Sequence, residues 1–69
     1  MKTEIEDLIN HCETYNKLPF EAWLSKCLKA TVFIMFDTGG HRCFDFDTKQ
    51  TAIIFLATIS LLYGIKTNA

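Results

Sequence analysis

The chain has 69 residues and a formal net charge of −1, with seven basic residues against eight acidic ones. That length holds one domain at most, and one that buries only about 60% of its unfolded surface, so its core needs help from a disulfide, a metal or another subunit. Hydrophobic residues make up 49% of the chain, which excludes disorder. The near-neutral balance supplies no electrostatic footprint for nucleic acid, and the expectation is that none is bound.

Cys12, Cys27 and Cys43 are odd in number and widely spaced, unlike the even, patterned cysteines of a small secreted domain. Three reduced thiols packed as small apolar groups in a cytoplasmic protein are expected. The opening residues MKTEIEDL carry no export signal.

Taken in order, Thr3 and Glu6 have the spacing of a capping box. Ile5, Leu8, Ile9 and Cys12 then recur at the spacing of one helical face. This first helix should end near Asn16, because Pro19 disfavours helical geometry at Leu18. Pro19 suits the first turn of a second helix, whose apolar stripe would be Phe20, Trp23, Leu24, Cys27 and Leu28. Phe20 and Trp23 are accordingly expected in the core.

The run 31–36 is β-branched and aromatic, and Asp37-Thr38-Gly39-Gly40 supplies the positive φ of a hairpin turn. The return strand, 41–47, places Arg42, Phe44 and Phe46 on one face and His41, Cys43, Asp45 and Asp47 on the other. The first strand of the hairpin is apolar on both sides, so both faces should be covered. Asp47 and Gln50 repeat the capping-box spacing ahead of a third helix, 48–63, with Gly64 as a left-handed cap and Ile65 folding back on it. Residues 67–69 should fray. The expected fold is a small single α+β domain of order α-α-β-β-α, with a central hairpin and an apolar C-terminal helix.

Several arrangements invite a chemical reading. Phe36-Asp37-Thr38-Gly39 is similar to the hydrophobic–Asp–Thr–Gly signature of aspartic proteases, which implies a shared-proton carboxylate pair in a dimer. The stretch that follows lacks the long flap hairpin and second core repeat of that family, so the expected role of Asp37 is to shape the turn. His41 and Cys43 share a strand face, yet the knuckle spacing of structural zinc is missing, and the flanking Asp45 and Asp47 oppose a reactive thiolate. Asp45 and Asp47 read as a solvated acidic edge rather than a cation site. No catalytic residue, cofactor or metal is expected.

The third helix is apolar around most of its circumference, which a lone 69-residue chain has trouble covering. A homodimer or a protein partner is therefore expected, with Arg42, Phe55, Ile59, Leu62 and Tyr63 as candidate contacts. Residues 50–65 are uncharged but fall short of the about 20 residues that cross a bilayer. The expected function is a non-enzymatic protein-interaction module, a small regulator or inhibitor. Chains of this size without motif or export signal are often accessory proteins of phages and other mobile elements. The alternative is a membrane-associated protein that uses the apolar helix 51–65.

Overall fold

The computed structural model describes residues 3–25 and 30–68. Its elements run α1 (Glu4–Tyr15), β1 (Pro19–Leu24), β2 (Ala30–Phe36), β3 (His41–Phe46), α2 (Lys49–Tyr63) and β4 (Lys66–Asn68), a small α+β fold. The four strands form one sheet in the order β3-β2-β1-β4. The β1–β2 and β2–β3 pairs are antiparallel, and β4 lies parallel to β1.

The capping box forms as the sequence predicts. The Glu6 N–H donates to Thr3 Oγ1 at 3.1 Å, and the Thr3 N–H donates to Glu6 Oε1 at 3.3 Å. Asn16 closes α1 with φ 52° and sends its N–H to the Cys12 carbonyl. The start of α2 lies one residue later than expected. Thr48 rather than Asp47 is the N-cap, its hydroxyl oxygen accepting the Thr51 N–H at 3.2 Å. Gly64 caps α2 at φ 64°, and the Ser60 hydroxyl donates to the Ile65 carbonyl at 2.8 Å, which aims the chain into β4. In the hairpin turn, Gly39 and Gly40 take φ 91° and 84°, values a side chain would resist.

Two expectations are corrected. The residues read as the start of a second helix form strand β1, with Ala22 and Leu24 buried and Trp23 turned to the opposite side. A six-residue segment, apolar except at Glu21, fits both a helical and an alternating pattern, and pairing decided between them. A two-stranded hairpin alone is marginal, and β1 extends it while also carrying β4. Pro19 sits at the first position of β1, where the register shifts and its missing donor costs nothing. Cys27 and Leu28, the rest of the expected stripe, lie outside the described residues. The second correction concerns the tail: Lys66–Asn68 pairs with Glu21–Trp23 instead of fraying.

The core is one cluster. Leu8 and Cys12 of α1 and Ala52, Phe55, Leu56 and Ile59 of α2 pack on Ala22, Leu24, Val32, Ile34, Phe36 and Phe44 of the sheet. Each large side chain in it contributes about 1.5–3 kcal/mol by leaving water. Phe44 and Phe46 meet Phe55 with ring centroids 5.1 and 5.0 Å away, a tilted geometry that suits the ring quadrupoles. Both helices therefore cover the same side of the sheet.

Candidate functional site

The side of the sheet away from the helices is built by strand alternation. Registry places Trp23, Phe33 and Cys43 in one cross-strand row and Met35 beside His41 in the next, with Glu21 opposite both Met35 and Lys66. Trp23 and Phe33 stack at 5.7 Å with their planes 14° apart. Trp23, Phe33 and Met35 are half-buried, while His41, Cys43 and Asp45 are exposed. Both faces of β2 were expected to be covered: Val32, Ile34 and Phe36 are buried on the helix side, while Phe33 and Met35 on this side stay half-buried with no described helix over them. Just before it, the irregular start of β1 leaves Phe20 exposed, against its expected place in the core. The rim is mixed in charge, with Glu21 and Asp45 against Lys66.

The second apolar surface is the outward side of α2, where Ile53, Ile54, Leu61 and Leu62 are 41%, 60%, 88% and 51% exposed. Of the candidate contacts named from sequence, only Leu62 belongs to it. Phe55 and Ile59 are 4% and 0% exposed and face the sheet, so they are core residues. Tyr63 is half-buried against the core cluster. Arg42 has a partner within the chain. It donates to Asp7 Oδ2 on α1, and its guanidinium carbon lies 4.9 Å from the Phe44 ring centre, so it clamps α1 to β3.

A cleft of about 390 Å³ opens where the end of α1 meets Tyr63 and the hairpin turn, lined in part by Ile9, Cys12, Glu13, Lys17 and Asp37. Several of its polar groups are held in structural contacts. Asp37 Oδ1 accepts the Leu18 N–H at 3.1 Å and the Asp37 N–H donates to the Leu18 carbonyl at 2.9 Å, so its carboxylate ties the hairpin to the segment before β1 instead of bonding the backbone of its own turn, as the sequence suggested. The Lys17 ammonium lies 4.5 Å from the Phe36 ring centre. Burial pushes the Cys12 thiol up, which opposes a reactive thiolate, although its bond to Tyr63 acts the other way. Burial, then that same bond, pushes the Tyr63 hydroxyl up to about 12. His11 rests against Tyr15 and Phe36 at 4.8 and 5.4 Å; burial, then the Arg42 and Lys17 cations, holds its pKa down.

Asp45 accepts the Thr31 hydroxyl at 2.7 Å. Among the described residues no group of three His, Cys, Asp or Glu side chains is placed to hold a metal ion, and no helix is long and apolar enough to cross a membrane. Both apolar surfaces were partly hidden in the sequence. The signal for the sheet face is the alternation of Val32 and Ile34 with Phe33 and Met35, which a uniformly apolar run conceals. In comparison with known proteins, the chain matches no protein-family model, no curated protein and no solved structure.

Proposed function

We propose that the chain is a non-enzymatic protein-interaction module, a small regulator or inhibitor that docks a partner protein on its open sheet face. The observation that carries this reading is the Trp23–Phe33 stack at the centre of a sheet side that neither described helix covers. Binding energy concentrates in such rigid aromatic anchors when a polar rim excludes water around them. Glu21, His41, Asp45 and Lys66 form that rim. A stack of this kind also serves single-stranded nucleic acid, but there it needs a basic groove along the backbone. Two acidic rim residues and a net charge of −1 favour a protein instead.

The test is affinity capture from native cells with the wild-type chain and with a Trp23→Ala, Phe33→Ser variant, both checked by circular dichroism. A discrete protein held by the wild type and lost at least tenfold with the folded variant supports docking. Equal capture by both, or capture that nuclease abolishes, overturns it.

A further inference from the structure

The outward side of α2 lies across the molecule from the sheet face and stands independently of it. Its exposed positions have a symmetry of their own. Ile53 and Ile54 form one pair, Ala57 and Thr58 a second, and Leu61 and Leu62 a third. The order is large, small, large about a midpoint between Ala57 and Thr58, and the stripe extends about 14 Å along the helix axis. No charged residue lies between Gln50 and Ile65. The Thr58 hydroxyl, at the centre, donates to the Ile54 carbonyl at 2.8 Å, so it is satisfied within the helix and presents no unpaired donor to a dry contact.

We infer that this stripe is a homodimer interface in which α2 of one copy crosses α2 of a second, antiparallel, about a two-fold axis at Ala57–Thr58. A two-fold contact requires a surface complementary to itself, and this stripe meets that requirement. Small residues at the axis let the helix backbones approach. Ile54 of each copy then meets Leu61 of the other, and Ile53 meets Leu62. An uncharged face has no partner charge to seek, and the antiparallel arrangement opposes the helix dipoles favourably. The four large side chains expose on the order of 450 Å² per copy, less than the about 800 Å² of a standard stable interface. The dimer is therefore of the weak, reversible class.

Sedimentation velocity of the full chain from about 5 to 500 µM tests this. The wild type should pass from monomer to dimer across that range. Ile54→Asp and Leu61→Lys should each weaken association at least tenfold while circular dichroism stays unchanged, since both positions are exposed. Mixed in equal amounts, the two variants should regain a dimer, because the introduced carboxylate of one copy then faces the introduced ammonium of the other. A wild type that stays monomeric at 500 µM overturns the inference, as does a dimer indifferent to both substitutions. So does rescue by an Ile54→Asp, Ile54→Lys mixture in place of the first, which would mean parallel helices. The Phe33→Ser substitution should leave the dimer constant unchanged; loss of the dimer there would place the contact on the sheet face and likewise overturn it.

Discussion

Phe55 and Leu61 are large apolar residues of the same helix, and the structure assigns them opposite costs. Phe55 is 4% exposed, with Phe44 and Phe46 rings about 5 Å from its own. Phe55→Ala removes the buried ring and leaves a cavity, a change that costs about 3–5 kcal/mol. A domain of this length has about 3–10 kcal/mol of stability in all, so the variant loses about a third of it or more. Leu61 is 88% exposed, and Leu61→Ala should change monomer stability by less than about 0.5 kcal/mol. Urea unfolding followed by circular dichroism compares the two, at the lowest usable concentration so that association contributes little. In heat, the Phe55 variant should melt lower by at least about 12 °C, at about 4–8 °C per kcal/mol for a domain of this size. Equal costs at the two positions, or a larger one at Leu61, would refute the assignment of the helix faces.

Three further outcomes are expected. The Asp7–Arg42 pair is partly exposed, so a double-mutant cycle with Asp7→Asn and Arg42→Gln should give a coupling of about 0.5–1 kcal/mol; a value near zero would show that the clamp contributes nothing. Stability should fall at both ends of the pH scale. Tyr63 and Cys12 have raised folded pKa values, so the stability they contribute is present below pH 9 and is lost as pH rises from there towards about 12. His11 is depressed, so the fold loses stability as pH falls through 6.5; Tyr63→Phe should flatten the alkaline limb and His11→Gln the acid one, and unchanged limbs would contradict this. Ending the chain at Ile65 removes β4 and should cost about 1–3 kcal/mol, with faster hydrogen exchange of the β1 amides and unchanged exchange in β3.

What the sequence disclosed depends on how local each signal was. The capping box of α1, the Gly64 cap of α2, the glycine turn and the β2–β3 hairpin are set by neighbours within a few residues, and all were legible. Strand β1 was not, because Phe20, Trp23 and Leu24 fit a helical stripe while Ala22 and Leu24 fit an alternating one. The choice was made by pairing with Val32–Phe36 and with Lys66–Asn68, partners distant in the chain. Strand β4 is three residues with no apolar pattern, and it exists because the Gly64 cap and the Ser60–Ile65 hydrogen bond deliver it to the free side of β1. The mistake over β1 also concealed the sheet face, since a helical Trp23 belongs in the core and a strand Trp23 does not. Likewise Phe55 and Ile59 could not be separated from Ile54 and Leu62 while the position of α2 on the sheet was unknown. Surplus apolar surface was therefore legible as a quantity but not as a place.

Docking on the open sheet face is tested most directly by site-specific photo-crosslinking in native cells. Benzoylphenylalanine placed at Phe33 should yield one discrete adduct with another protein, and the same group at exposed Glu13 on α1 should not. No adduct from position 33, or the same adducts from both positions, would contradict the account.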